Sequence, residues 1–232
     1  MSRSDQPSSA PFKLTALDRA ILSQTDEEFQ PHTWENLKTL IAENRLDLLT
    51  RNPSDLKRYI KWTAAVKAHH GSVANFVLKE RLKWEVIPSE TTDGPPKFEV
   101  KNREPFADEN DYKILPNDWP YGLEPGITHL CVWVKTPLEI RPEDGDMTDD
   151  ARELVDKFVT KKFREKLREL EGDAAEDRVL WFKNWVSLQS VRGVDHVHVL
   201  IRDAPLNLLN SWTGPHARRE SIEAVAAVKV PY

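Results

Sequence analysis

The sequence predicts an α+β fold with an antiparallel sheet flanked by helices and an N-terminal helical extension. Apolar residues recur at helical spacing over residues 14–84, whereas shorter segments with strand-like alternation come later in the chain. A single long amphipathic segment, residues 148–171, separates the second and third of these alternating segments. Helices followed by strands, with one helix between strands, are typical of α+β proteins.

Three regions follow from composition and periodicity. Residues 1–13 are rich in Ser and Pro and are predicted to be a disordered lead-in. Residues 14–84 are predicted to be a helical subdomain. Residues 85–232 are predicted to hold the α+β core, and we expect the two larger regions to form one compact unit.

Individual residues predict where the helices begin and end. Thr33 is predicted to cap a helix, and Pro53 is predicted to open the next one. Gly71 ends that second helix. Thr148 is predicted to cap the long helix that Gly172 ends.

Four short strands are predicted from alternation and β-branched content, at residues 112–115, 128–136, 179–183 and 196–203. The tail from Pro205 onward has no clear pattern.

Composition excludes several classes of function. A formal net charge of −5 argues against a general nucleic-acid binder, and no apolar run reaches the roughly 18 residues that cross a bilayer. Cys131 is the only cysteine, so there is neither a disulfide framework nor a thiolate zinc cluster. With no signal-peptide core, we expect a cytoplasmic protein without nucleic-acid or membrane partners. The oligomeric state does not follow from the sequence.

The last predicted strand carries the main chemical signal. His196 and His198 share one face with Leu200, while the alternate positions Val197, Val199 and Ile201 form an apolar face. Histidine is not a residue that favours strands, so the pair indicates a site. The alternative is two ordinary polar residues on a solvated face.

Phosphate-capable donors precede this strand. Lys183, Asn184, Ser190 and Arg192 are predicted to bind phosphate, and the alternative is turn and cap chemistry. Asp195 adjoins the histidines. It is predicted to orient an imidazole or to activate a sugar hydroxyl, with turn capping as the alternative.

A second block lies at the turn before the predicted strand at 128–136. Asn117 and Asp118 suit ribose hydroxyls or a metal-bound phosphate, although Asx turns are the commoner use. Trp119 and Tyr121 suit stacking on a base or sugar ring, or packing. Lys135 is predicted to reach a phosphate, and the alternative is a surface lysine.

No direct metal motif is present. His196 and His198 would need His129 or Cys131 to complete a zinc site, and the spacing does not demand one. Magnesium that enters with a nucleotide triphosphate is favoured instead, because it needs few protein ligands.

These blocks resemble the histidine-triad (HIT-like) superfamily of nucleotide hydrolases and transferases. The resemblance rests on Asn-Asp-Trp-Pro-Tyr at 117–121 with the strand that leads to Lys135, and on Asn184 and Ser190 before His-Val-His-Val at 196–199. It implies an antiparallel HIT-like sheet that binds a nucleotide. Val194 or Leu200 stands where the third histidine of the triad would be, which favours direct phosphoryl transfer over a covalent route.

Residues 34–203 resemble the N-acetylglucosamine-induced protein family, through Val-Trp-Val-Lys at 132–135 and Trp-Phe-Lys-Asn-Trp at 181–185. This resemblance implies a link to amino-sugar metabolism. The resulting hypothesis is a transferase that phosphorylates N-acetylglucosamine from a nucleoside triphosphate, with nucleotidyl transfer as a variant. His196 and His198 would contact the reacting phosphate, and Asp195 would be the base.

The expected cofactors are the triphosphate, either ATP or a pyrimidine nucleotide such as CTP, and Mg²⁺. The expected partners are therefore a nucleotide and an amino sugar. Two alternatives remain from the sequence: a HIT-type nucleotide hydrolase, and a non-catalytic sensor that binds a nucleotide or sugar.

Overall fold

The α+β prediction is confirmed. A computed structural model describes residues 10–88 and 94–228, and it contains a four-stranded, fully antiparallel sheet in the order β1-β2-β4-β3. The strands are β1 (Tyr112–Pro116), β2 (Ile127–Val134), β3 (Val179–Phe182) and β4 (His196–Arg202).

Some helices come before the first strand in the chain, some connect β2 to β3, and the last two follow β4. The first four are α1 (Ala16–Leu22), α2 (Trp34–Ala42), α3 (Pro53–His70) and α4 (Val73–Phe76), and α4 continues into the π-helical segment Val77–Leu82. The crossover consists of α5 (Asp149–Val159), the π-helical segment Thr160–Arg164 and α6 (Glu165–Glu171). The tail, which the sequence left unassigned, forms α7 (Leu206–Thr213) and α8 (Ala217–Ala227).

The predicted helix ends are confirmed by their capping contacts. The Thr33 side chain accepts a hydrogen bond from the backbone N–H of Asn36, and Thr148 does the same for Ala151. Gly172 ends α6 with a φ of 78°, a left-handed conformation that glycine adopts without a steric penalty. Short polar side chains thus determine the boundaries, as expected for capping residues.

The register of the sheet separates two chemically different faces. β2 and β4 pair so that Cys131 lies opposite His198 and Trp133 lies opposite His196. The alternate residues of both strands face the crossover helices and form a hydrophobic core. This core includes Leu130, Val132, Val134, Val197, Val199 and Ile201 from the sheet, with Val155, Val159, Phe163, Leu167 and Trp212 from the helices.

The histidine-bearing face is covered by the N-terminal helices instead of solvent. Tyr59 and Trp62 of α3 and Phe76 of α4 share one hydrophobic cluster with Cys131 and Trp133 of β2. A neighbouring cluster joins α2 to the other end of the same face through Trp34, Leu37, Phe182 and Leu200. The 14–84 region is therefore one wall of the space above the histidines.

The predicted lead-in is only partly described. Residues 1–9 lie outside the described residues. At its end, Phe12 lies against Tyr59 with ring centroids 5.8 Å apart. Among the described residues, no helix is long and apolar enough to cross a membrane.

Gly122 joins the helical region to the turn between β1 and β2. Its N–H donates to the Thr50 carbonyl, and its own carbonyl accepts from the His32 N–H, each at 2.8 Å. A Cβ at this position would overlap the buried ring of Phe29 and lie 3.1 Å from the Asn52 nitrogen. The close approach of three chain segments requires glycine here.

Replacing Gly122 with alanine should destabilise the fold by about 1–3 kcal/mol, because the new methyl group overpacks a closed contact. Urea unfolding of the Gly122→Ala variant measures this loss. In a Phe29→Leu background the same substitution should cost less, since the overlapping ring is gone. Equal losses in both backgrounds would contradict this explanation.

Candidate functional site

A cavity of about 120 Å³ lies between the histidine face of the sheet and the N-terminal helices. A water molecule needs roughly 10–15 Å³ on such a measure, so the space admits a small polar group or several waters. Its lining comes from the sheet, the β1–β2 turn, the helical region and the loop before β4. The lining residues used below are Arg51, Tyr59, Trp62, Arg81, Asn117, Asp118, Trp119, Tyr121, Cys131, Trp133, Asn184, Ser190, His196 and His198.

His196 presents a free ring nitrogen. Its Nδ1 lies 3.0 Å from the Val194 carbonyl, which can only accept, so Nδ1 carries the proton. Nε2 is then unprotonated, and it has no hydrogen-bond partner among the described residues. Burial lowers the pKa of His196, although the Val194 carbonyl and the Asp195 charge oppose this shift. The result is a neutral imidazole with an available lone pair.

His198 is held on both sides. The Asn117 side-chain oxygen accepts from the Trp119 N–H, so its amide nitrogen is the atom 3.1 Å from His129 Nε2. His129 Nε2 therefore accepts hydrogen bonds, and His198 Nδ1, 2.9 Å away, donates to it. On the far side of the ring, the Asn184 amide nitrogen lies 3.4 Å from His198 Nε2. These contacts fix the orientation and tautomer of His198.

The imidazoles, the Cys131 thiol and the Tyr121 hydroxyl of the site are neutral near pH 7. Burial lowers the pKa of His129 to about 3, and it also holds the pKa of His198 well below its usual range. Burial raises the pKa of the Cys131 thiol and that of the Tyr121 hydroxyl. Arg51 strengthens the shift on both histidines by repelling a second positive charge.

The side chains of His129, Cys131 and His198 are all buried, and their ligand atoms lie within 4.8 Å of one another, as in a soft-metal site. The hydrogen bonds account for this cluster without an ion. The ring nitrogen His129 Nε2 already accepts from Asn117 and His198. We assign the cluster to a positioning network.

Several cavity-lining residues carry polar atoms with no partner among the described residues. They are three donors, Trp62 Nε1, Trp119 Nε1 and Arg81 Nη2, and one acceptor, Asn184 Oδ1. Each buried polar group without a partner costs about 1–3 kcal/mol. A polar ligand that paired with them would recover part of that energy.

Arg81 and Asp118 form a buried ion pair at the cavity, with Nε and Oδ2 3.0 Å apart. Ser221 of α8 also donates to Asp118. Burial raises the pKa of Asp118 in spite of the arginine and the serine, because desolvation outweighs both contacts. Asp118 is thus occupied in joining α8 and the π-helical segment to the β1–β2 turn.

The structure brings most of the predicted residues together. The cavity lining includes His196, His198, Asn117, Asp118, Trp119, Tyr121, Asn184 and Ser190. The other four predicted residues do not line it. Lys183 and Asp195 pair with each other at 3.2 Å, and the second carboxylate oxygen of Asp195 accepts from the Leu138 N–H at 2.8 Å.

The strand pleat explains this separation. Asp195 immediately precedes His196, and Lys183 immediately precedes Asn184, so both side chains project away from the histidine face. Arg192 is exposed on the loop before β4. Lys135 lies 3.4 Å from Asp111 beyond the end of β2, near Trp84.

Sequence reasoning missed the residues that the helical region contributes, which are Arg51, Tyr59, Trp62 and Arg81. They lie far from the histidines in sequence and show only ordinary helical periodicity. His129 did carry a signal, because it alternates with Cys131 and Trp133 just as His196 alternates with His198.

With this geometry established, comparison with known proteins identifies the family. Residues 33–202 match the family described as Protein of unknown function (DUF3605). The chain belongs to this family. It is 30% identical over 181 residues to N-acetylglucosamine-induced protein 1 of Candida albicans, covering 75% of this chain and 69% of that protein. The resemblance to the N-acetylglucosamine-induced protein family is thereby confirmed, while the HIT-like core stays a prediction.

Two further relatives agree with the fold. An uncharacterized protein of Saccharomyces cerevisiae is 28% identical over 185 residues, which is 80% of this chain and 86% of that protein. The crystal structure of HTC1 superposes with a TM-score of 0.52 at 24% identity, covering 84% of this chain and 95% of that one. The similarity to HTC1 is one of fold.

The buried imidazoles should make stability depend on pH. Burial depresses the pKa of His129 to about 3. The neutral ring therefore contributes fully to the free energy of unfolding above about pH 6.5, and this contribution is lost as the pH falls toward about 3. In that window the unfolded chain binds a proton that the folded chain does not, which lowers the unfolding free energy by about 1.4 kcal/mol per pH unit per histidine.

Urea unfolding between pH 4 and pH 7 measures this slope. The His129→Asn variant should show a shallower dependence than the wild type. The exposed His216→Asn variant serves as the control, and its slope should match that of the wild type. If His129→Asn keeps the full slope, the buried neutral imidazole is not its source.

Proposed function

We propose that this protein is a nucleotide-dependent transferase that phosphorylates an amino sugar from a nucleoside triphosphate. The observation that carries the proposal is the neutral His196 ring, whose free Nε2 lies at a cavity with unpaired polar atoms. A neutral imidazole is suited to accept a proton near pH 7. The α+β core would correspond to the HIT-like arrangement that the sequence motifs resemble.

His196 would act as the general base. Nε2 would take the proton of a sugar hydroxyl as that oxygen attacks the γ-phosphorus. A new O–P bond would form while the bond between the β,γ-bridging oxygen and the γ-phosphorus breaks, and a nucleoside diphosphate would leave. This geometry moves the base role from Asp195 to His196, because both oxygens of Asp195 are engaged with Lys183 and Leu138.

His198 would position the reacting groups. Its Nδ1–H is committed to His129, and the amide of Asn184 faces its Nε2, so its role is to hold Asn184 in place. The Asn184 Oδ1 is then the unpartnered acceptor of the cavity. It fits a magnesium ion, which would neutralise charge on the β- and γ-phosphates.

The ring-binding part of the site would come from aromatic residues. Trp62 and Trp119 lie at the cavity with centroids 5.4 Å apart, and Tyr121 stacks on His129 at 5.4 Å. Flat aromatic surfaces with indole donors suit a sugar or a base. The name of the Candida albicans relative, an N-acetylglucosamine-induced protein, supports an amino sugar as the acceptor.

The nucleotide hydrolase is the second candidate, and one observation favours it. The free Nε2 of His196 that accepts a proton is equally placed to attack a phosphorus atom and form a phosphoramidate. In that route an N–P bond to the α-phosphorus would form as the α,β-phosphoanhydride bond breaks and pyrophosphate leaves, and water would then cleave the N–P bond, so that nucleotide is consumed without a sugar through a histidine-linked intermediate. An alkaline quench followed by mass spectrometry of peptides containing His196 distinguishes the two routes.

The transferase predicts a phosphorylated product when the protein is incubated with Mg²⁺, N-acetylglucosamine and each common nucleoside triphosphate, CTP and ATP included. Mass spectrometry of the sugar detects it. The His196→Ala variant should lose about 100-fold or more of the rate, as expected for a missing general base. The exposed His216→Ala variant is the control and should retain full activity. No phosphorylated sugar with any donor, across a panel of amino sugars, would refute the transferase.

A further inference from the structure

Arg51 is a cation at the cavity without a matching anion. Arg51 lies in the chain segment that joins α2 to α3, and its side chain lines the cavity. None of the described carboxylates lies within ion-pair distance of its guanidinium. Arg81, the other lining arginine, is paired with Asp118 at 3.0 Å. Arg51 is therefore a lining cation with no ion-pair partner among the described residues, beside imidazoles that are neutral near pH 7.

The guanidinium is held in position by contacts that leave its charge uncompensated. Its Nε donates to the Trp119 carbonyl at 3.1 Å, and its Cζ lies 4.1 Å from the Tyr59 ring centroid and 5.6 Å from that of Tyr121. Stacking on aromatic rings orients the arginine guanidinium. The terminal nitrogens have no acceptor among the described residues.

The backbone around Arg51 is fixed as well. The carbonyl of Thr50, the preceding residue, accepts from the Gly122 N–H at 2.8 Å, and the Thr50 N–H donates to His32 Nε2 at 3.2 Å. Asn52, the following residue, caps α3. A side chain supported in this way loses little further freedom when it binds an anion.

The position of Arg51 relative to the imidazoles follows from a shared neighbour. The Tyr121 ring that contacts Arg51 lies 5.4 Å from the His129 ring and 6.3 Å from the His198 ring. Tyr121 thus contacts both the guanidinium and the ring of His129, and all of these groups except His129 line the same cavity.

We propose that Arg51 is the anion-binding residue of this cavity and takes a phosphate or phosphoanhydride group beside His198. A guanidinium fork matches two phosphate oxygens, and its uncompensated charge would be neutralised by such a ligand. This assignment deepens the transferase proposed above, by naming the cation that holds its phosphate. It replaces Lys183, whose charge is neutralised by Asp195, and the exposed Arg192.

Anion binding without turnover tests the assignment. Isothermal titration with inorganic tripolyphosphate should show binding to the wild-type protein. The Arg51→Gln variant should bind about tenfold more weakly or worse, which corresponds to loss of a hydrogen bond to a charged group. Arg51→Lys should fall between the two, because lysine keeps the charge and loses the fork. The exposed Arg45→Gln variant is the matched control and should bind as the wild type does.

Wild-type affinity in Arg51→Gln would overturn the assignment, and so would absence of tripolyphosphate binding to the wild type. A second measurement covers the case in which Arg51→Gln does not fold. Phenylglyoxal should modify Arg51 in the wild-type protein, and tripolyphosphate should slow that modification selectively, as mapped by peptide mass spectrometry. Equal rates with and without the anion would also overturn it. Protection of Arg51 with no sugar product from any donor would keep the anion site while refuting the transferase.

Discussion

The pairing of β2 with β4 is the constraint on which the rest of the site depends. Because side chains alternate along a strand, the register that places Cys131 opposite His198 also places every apolar neighbour on the other face. A slip of one residue would carry the imidazoles into the apolar core under α5 and α6. The hydrophobic composition of that core therefore fixes the position of the histidines.

Once that face is fixed, burying it imposes a second requirement. Imidazoles under a hydrophobic cover must be neutral and must find hydrogen-bond partners within the protein. The Asn117–His129–His198–Asn184 chain meets this need, and each amide is held by its own neighbour: Asn117 by the Trp119 N–H and Asn184 by the Tyr121 hydroxyl. His196 differs in that its Nδ1 donates to the Val194 carbonyl while its Nε2 lone pair has no partner among the described residues. His198 is thus held by hydrogen bonds at both ring nitrogens, whereas His196 keeps its Nε2 available.

Local sequence signals predicted the parts of this molecule that depend on near neighbours. Thr33, Thr148 and Gly172 mark helix ends through contacts three or four residues away, and alternation marks the two faces of β4. Residues joined by long-range packing carried no such signal. Arg51 reaches the site only because Gly122 brings the start of α3 against the β1–β2 turn.

The same limit explains the phosphate donors. Lys183 and Arg192 are predicted to bind phosphate because they are close to the histidines in sequence. Closeness in sequence does not determine which face of the sheet a side chain occupies. Lys183 lies one residue from Asn184 and projects to the opposite side, where Asp195 neutralises it. The helices α7 and α8 escaped prediction because Pro, Asn and Ser interrupt their apolar pattern.

A third imidazole lies beside the two of β4. His129 of β2 pairs across the sheet with Leu200 of β4, two residues along the strand from His198. His129 reaches back toward His198 and bonds to it at 2.9 Å. Three imidazoles are therefore present, contributed by two strands instead of one. His129 can accept a hydrogen bond from His198 Nδ1 only while the His129 ring is neutral. Burial and the nearby positive charge of Arg51 keep that ring neutral and so preserve this hydrogen bond. His129 and His198 are thus neutral rings held by hydrogen bonds, and His196 is the one of the three whose Nε2 has no partner among the described residues.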